Sequence, residues 1–155
     1  MRYDSTLLAV TNLKRSLDFY KEVLGLAVEA DLGANVVLTG GLSLQTLESW
    51  AGFIRKPSEE IRFHHLAGEL YFEEDDLDGF LQKLSGLPAV RLVHPVIEHS
   101  WGQRTVRFYD PDGHIIEVGE NMRTVVQRFI AGGLTPEQTA LRMDVPLSYV
   151  EERME

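Results

Sequence analysis

Arg104 to Glu120 reads RTVRFYDPDGHIIEVGE, and this stretch decides the fold. Thr105 to Tyr109 is β-branched and aromatic, which predicts a strand. Asp110-Pro111-Asp112-Gly113 is turn chemistry. Proline presets φ, aspartate folds back on its own backbone, and glycine tolerates positive φ. His114 to Val118 is a second short apolar run, so the whole predicts a β-hairpin. Side chains alternate along a strand, which puts Ile115 and Glu117 on one face and His114, Ile116 and Val118 on the other. A carboxylate between isoleucine and valine is either on a solvated outer face or an inward-pointing functional group.

The bulk composition narrows the choices. The chain has 155 residues, of which 44% are apolar, enough to build a core. Its 15 basic against 24 acidic side chains give a net charge of −9. That disfavours nucleic acid and anionic membranes, whose binding depends on Lys and Arg. There is no cysteine, which excludes disulfides, thiolate metal sites and a cysteine nucleophile. No apolar run approaches the ~18 residues of a membrane span. The N-terminus lacks the apolar centre of a signal peptide, so a cytoplasmic protein is expected.

Working outward, Ser5 to Val10 predicts a strand. Asn12 offers an N-cap to a helix from Leu13 to Leu24, whose apolar stripe is Leu13, Leu17, Tyr20 and Leu24. Gly25 is the expected stop. Leu26 to Asp31, Val36 to Thr39 and Leu42 to Leu47 predict three more strands. Residues 49–68 read as a long polar connection, with room for a short element at Arg62 to His65. The pattern then restarts. Glu69 to Glu74 is a strand, Asp76 caps a helix carrying Leu77, Phe80, Leu81 and Leu84, Ala89 to Val96 contains a strand, and the hairpin follows.

The two halves superpose by arithmetic. Adding 64 takes Leu8 to Phe72, Leu13 to Leu77 and Leu17 to Leu81, and adding 72 takes Gln45 to Glu117. An internal repeat of β-α-β-β-β modules is therefore expected. The fold class is α+β, with modules at 1–48 and 69–120 forming a concave sheet. Residues 121–155 form a helical extension. There, Met122, Val125, Val126, Phe129 and Ile130 have helical spacing. Thr135-Pro136-Glu137-Gln138 reads as a capping box with proline at N1. Leu134 to Met154 has helix-turn-helix spacing, but Glu151 and Glu152 stand where base-reading side chains would be needed.

Two segments resemble a known superfamily. VTNLKRSLDFYKEVLGL, Val10 to Leu26, is similar to the first helix and flanks of the vicinal oxygen chelate proteins. FYDPDGHIIEV, Phe108 to Val118, is similar to their closing hairpin. That superfamily includes glyoxalases, bleomycin-resistance proteins and extradiol dioxygenases. The resemblance implies a divalent metal in a concave cup, held by the first and last strand of each module. Carried across, those positions are Ser5, Gln45, Glu69 and Glu117. The superfamily usually places histidine at first-strand positions, and here there is none. Oxygen donors alone suit Mg²⁺, Mn²⁺ or Ca²⁺. The resemblance adds Ni²⁺, and Zn²⁺ fits less well. A cup without metal is the alternative.

The implied function is a small-molecule lyase or isomerase that abstracts a proton next to a carbonyl, with Glu69 or Glu117 as the base. The alternative is a non-catalytic drug-binding protein of the bleomycin-resistance type. Trp50 and Trp101 are expected at similar places in the two modules, walling a pocket with Tyr71 and Arg107. The expected partners are a small-molecule ligand and a second copy of the chain. None of the five histidines reads as a ligand.

Overall fold

The structure, a computed structural model, describes residues 1–154. Helix α1, Leu13–Leu24, shows why these residues fold as read. Asn12 accepts the backbone N–H of Arg15 at 2.9 Å, and Gly25 closes the helix in the left-handed region at φ 70°. Around it lie β1 (Thr6–Val10), β2 (Val28–Asp31), β3 (Asn35–Leu38) and β4 (Leu42–Thr46). Their order in the sheet is β1-β4-β3-β2, with β1 and β4 parallel and the other pairs antiparallel. Val10, Tyr20, Val23, Val36, Leu38 and Leu44 are buried in this unit. Helix α2, Leu47–Ile54, follows directly and places Ala51 in the interior. It occupies the start of the stretch expected as connection, and Leu47 opens this helix rather than ending a strand. Arg62 to His65 forms no element; a short 3₁₀ turn at Ser58–Glu60 stands ahead of it.

The second module repeats the topology. It has β5 (Glu69–Glu74), α3 (Leu77–Ser85), β6 (Leu92–Glu98), β7 (Arg104–Tyr109) and β8 (Ile115–Glu120), in the order β5-β8-β7-β6. Val106, Phe108, Ile116 and Val118 are buried on one face, as are Leu77, Phe80 and Leu84 of α3, with Phe80 and Phe108 rings 6.1 Å apart. The β-α-β-β-β repeat is thus present in both halves.

Contacts divide the chain into two compact units. The first is Met1–Ala67 together with Asp110–His114, and the second is Gly68–Tyr109 together with Ile115–Glu155. The hairpin turn therefore belongs to the first unit. Asp110, buried, accepts N–H bonds from Asp112 at 2.9 Å and His114 at 2.8 Å, and the Tyr20 hydroxyl at 3.0 Å. Burial, and then the Asp110 charge, push the Tyr20 phenol well above its ordinary value, so it remains a donor. Asp112 accepts from the Thr11 N–H and hydroxyl and pairs with Arg15. At Gly113, φ is 86° and a Cβ would strike the His64 imidazole, so only glycine fits. His114 is buried and donates from Nε2 to the Ala9 carbonyl at 2.9 Å. This is a structural role, in keeping with its alternation away from Glu117.

The C-terminal helices are α4 (Met122–Ala131), α5 (Pro136–Met143) and α6 (Leu147–Glu151), all within the second unit. Val125, Val126, Ala140, Met143 and Val150 make their own buried cluster. The Thr135–Gln138 capping box forms with both reciprocal bonds. Glu151 and Glu152 are exposed. Among the described residues, no helix is long and apolar enough to cross a membrane.

Candidate functional site on the second sheet

Strand pairing puts a set of polar side chains on one face of the second sheet. Tyr71 of β5 and Arg107 of β7 both pair with Glu117 of β8, and Glu69 pairs two residues earlier, with Ile115. Alternation then gives Glu69, Tyr71, Thr105, Arg107 and Glu117 one common face. It is opposite to the face of Phe108, Ile116 and Val118, on which α3 packs.

Arg107 is at the centre. Its Nε donates to Glu69 Oε2 at 2.8 Å, and its Nη2 forms a close ion pair with Glu117. Side-chain exposure is 6% for Glu117, 22% for Arg107 and 36% for Glu69. A carboxylate buried as deeply as Glu117 is costly without a partner, and the guanidinium supplies one. Both carboxylates that the resemblance assigns to a metal are thus committed to an arginine.

A polar chain continues along the face. Gln103, buried, donates from Nε2 to the Tyr71 hydroxyl at 2.8 Å and to the Glu120 carbonyl at 2.9 Å. Its Oε1 accepts the Trp101 indole N–H at 3.2 Å, and Tyr71 donates to Glu73 at 3.1 Å. Gly119 leaves the room for this, because a Cβ there would lie 2.8 Å from Gln103 Nε2 and 3.1 Å from the Tyr71 ring. Burial, opposed by the Gln103 bond and assisted by Glu73, raises the Tyr71 phenol, which stays protonated. The Trp101 indole stacks on the His99 ring with centroids 4.3 Å apart. His99 Nε2 lies 3.2 Å from the Thr105 hydroxyl. Burial first, then the Arg107 and His94 charges, lower the His99 imidazole, so it is neutral near neutrality. Arg128 of α4 donates to the Gly102 carbonyl at 2.6 Å, and Arg142 of α5 donates to the Ser100 carbonyl. The helical extension thereby fixes the turn that carries Trp101.

The residues expected from the first module stand differently. Gln45 is buried, and both ends of its amide are hydrogen-bonded. Its Oε1 accepts from Asn35 Nδ2 at 2.7 Å, and its Nε2 donates to Ser49 Oγ at 2.6 Å. Ser5 is exposed and precedes β1. The register corrects its assignment. Glu69 pairs two residues before Glu117, and the residue that pairs two before Gln45 is Leu7, opposite Ser43. Ser5 is two residues further back, roughly 13 Å along the strands from the level of Gln45. Trp50 and Trp101 do not occupy similar places. Trp50 is half-buried within α2, whereas Trp101 lies in the β6–β7 turn.

These donors do not fit a divalent metal. Ser5 is out of register, the Gln45 oxygen already accepts from Asn35, and one guanidinium is paired with both carboxylates. Among the described residues, no group of three or more His, Cys, Asp or Glu side chains stands close enough to hold a metal ion. Sequence reasoning placed Arg107 at the site but missed its position opposite Glu117. Counting back from the hairpin turn would have shown it. Gln103 was missed altogether, and His99 was weighed only as a metal ligand and set aside; no sequence signal marks either as a partner of Trp101.

A family profile described as the glyoxalase-like domain matches residues 3–123. The chain belongs to that family. The glyoxalase-like span covers both modules and ends at the first turn of α4, leaving α5 and α6 outside it. Solved structures agree. A protein of unknown function from Agrobacterium tumefaciens str. C58 is 35% identical, with TM-score 0.69, over 78% of this chain and 94% of that one. A lactoylglutathione lyase from Agrobacterium tumefaciens is 25% identical, with TM-score 0.58, over 78% and 94%. A glyoxalase-related enzyme from Fulvimarina pelagi, 18% identical with TM-score 0.66 over 78% and 88%, shares the fold. Among curated proteins, none matches. Membership of the vicinal oxygen chelate superfamily follows from the glyoxalase-like match.

Proposed function

We propose that this glyoxalase-like chain binds a small planar organic molecule on the polar face of its second sheet without a resident divalent metal. The observation that carries the reading is the guanidinium of Arg107 set between Glu69 and Glu117. A metal-assisted lyase or isomerase needs those carboxylates free to hold an ion and move a proton. A carboxylate held by an arginine is poorly placed to act as a base. Arg107, Gln103 and Tyr71 present donors and acceptors, and the Trp101–His99 stack offers an aromatic wall.

The test has two arms. Titration of the full chain with Mg²⁺, Mn²⁺, Ni²⁺ and Zn²⁺ should give no stoichiometric binding. Planar aromatic amines and carboxylates, read by Trp101 fluorescence in a Trp50→Phe background, should quench it saturably, and equally with a chelator present. One tightly bound equivalent of any of these ions, or quenching abolished by the chelator, would sink the proposal.

A second reading, catalysis without metal, is favoured by the burial of Glu117 and by the similarity to a lactoylglutathione lyase. There Glu117 would leave Arg107 to take a proton next to a carbonyl. Turnover of lactoylglutathione by metal-free protein, lost in Glu117→Gln, would establish it.

A further inference from the structure

Trp101 sits in the β6–β7 turn, which two backbone bonds close. The His99 N–H donates to the Gln103 carbonyl at 2.9 Å, and the Gly102 N–H donates to the His99 carbonyl at 2.8 Å. Turns at the end of a sheet stay mobile unless something outside them ties them down. Here two guanidinia do so. Arg128 of α4 donates to the Gly102 carbonyl at 2.6 Å, and Arg142 of α5 donates to the Ser100 carbonyl. The residues on either side of Trp101 are thus each held by an arginine through a charge-assisted bond. Gly102 has φ 90°, and a Cβ there would strike the Phe129 ring, so the turn lies directly on α4. Both guanidinia also lie against that ring, Arg128 at 5.2 Å and Arg142 at 5.3 Å from its centroid.

Arg142 comes from outside the glyoxalase-like span, which ends at residue 123. Its helix is held on α4 by a buried cluster, in which Ala140 and Met143 of α5 pack with Val125 and Val126. Arg142 also faces Glu98 at the end of β6, at 3.8 Å, so it reaches the strand as well as the turn. From the turn, contacts run onto the polar face. The Trp101 indole donates to Gln103, and Gln103 donates to Tyr71. A helix beyond the domain is thereby linked to the residues assigned above to the ligand.

We infer that Arg142 is a positioning residue for the Trp101 wall, and that the C-terminal helices are a working part of the ligand site rather than an appendage. The inference rests on the small-molecule binding proposed above and deepens it. A wall held in place before the ligand arrives spares the cost of ordering it on binding. Each side chain so immobilised is worth about 3- to 10-fold in affinity. Arg142 acts through the Ser100 carbonyl and not through the ligand. Removing its donors should leave the fold intact and loosen Trp101.

The experiment uses the full-length chain in a Trp50→Phe background, where Trp101 is the one remaining tryptophan. Acrylamide quenching reads the freedom of Trp101. Calorimetry reads the affinity for 2-aminopyridine and for benzoate as planar probes, and thermal unfolding checks the fold. Arg142→Ala should make Trp101 more quenchable and weaken the tighter-bound probe by about 3- to 10-fold. Should the alanine variant not fold, Arg142→Met, of similar length and without donors, carries the same expectation. Arg142→Lys, which keeps a charged donor, should recover most of both. Arg123→Ala, an equal loss of charge at an exposed position of α4, should change neither. If the parent binds a probe and a folded neutral variant at position 142 binds it as tightly, the inference is wrong and the binding reading stands. Unchanged quenching in that variant, or a loss shared by Arg123→Ala, overturns it likewise. If the parent binds neither probe, the binding reading falls and the inference falls with it.

Discussion

Glu120→Gln should destabilise the second unit measurably, by an amount set by two arginines. Glu120 ends β8 with its side chain only 2% exposed. It accepts from Arg104 Nη2 at 3.0 Å and from Arg128 Nη2 at 3.0 Å. Arg104 also reaches Asp78 of α3, and Arg128 comes from α4, so one carboxylate ties a sheet to two helices. Two charge-assisted bonds are worth about 3 kcal/mol at roughly 1.5 kcal/mol each. The arginines are 31% and 38% exposed, so water recovers part of their loss, and glutamine keeps an acceptor. The expected cost is therefore about 2 kcal/mol. For a chain of this size that lowers Tm by about 4–8 °C.

The pH dependence carries the sign. Burial alone would raise the Glu120 carboxyl, but the bonds from Arg104 and Arg128 outweigh it and hold it below its ordinary value of 4.5. A depressed carboxylate stabilises the fold above the unfolded pKa and loses that contribution as pH falls through the folded one. The gap between wild type and Glu120→Gln should therefore be constant from neutrality to about pH 5.5. It should shrink once the pH falls below 4.5 and go on shrinking as the pH passes through the lowered folded value. Urea denaturation across that range measures it. A gap below about 0.5 kcal/mol at neutrality, or one indifferent to pH, would refute the reasoning.

Two further outcomes are expected. By NMR, the His99 imidazole should titrate below 6.5, and Arg107→Ala should bring it part of the way back, since burial is the larger cause and the Arg107 charge the second; a midpoint at or above 6.5 in wild type contradicts the described environment. Tyr20→Phe removes a buried hydroxyl bonded to the Asp110 carboxylate and should cost about 2 kcal/mol in denaturant unfolding, with no change in the Trp101 environment.

The fold was legible where local chemistry was strong. Asn12 and Gly25 set the bounds of α1 because cap and stop act within one turn. The Asp110–Gly113 turn was legible for the same reason, although nothing local says that its aspartates serve Tyr20, Thr11 and Arg15. Helix α2 was hidden. Its N-cap Thr46 makes no side-chain bond, and its eight residues follow a strand without a turn signal. Ser5 shows a different failure. A constant offset between repeats ignores a two-residue slip in strand register, which preserves the face and so leaves no trace in the alternation. At the site, residue types were readable but partnerships were not. Glu69 and Glu117 suggested a metal because a sequence lists donors without showing which cation faces them. The answer, Arg107, lies ten positions from Glu117 and thirty-eight from Glu69.

The assignment of Asp110–His114 to the first unit has a consequence for how this gene can change. Those five residues sit between two strands of the second sheet in the chain, yet they supply the acceptors for Tyr20, Thr11 and Arg15 and seat the His114 ring on Ala9. Cutting the reading frame after Ala67 would not release a self-sufficient half, since that fragment would leave the Tyr20 hydroxyl without its acceptor. Either repeat can change at its own positions, but the first is complete only while residues 110–114 stay in the chain with it.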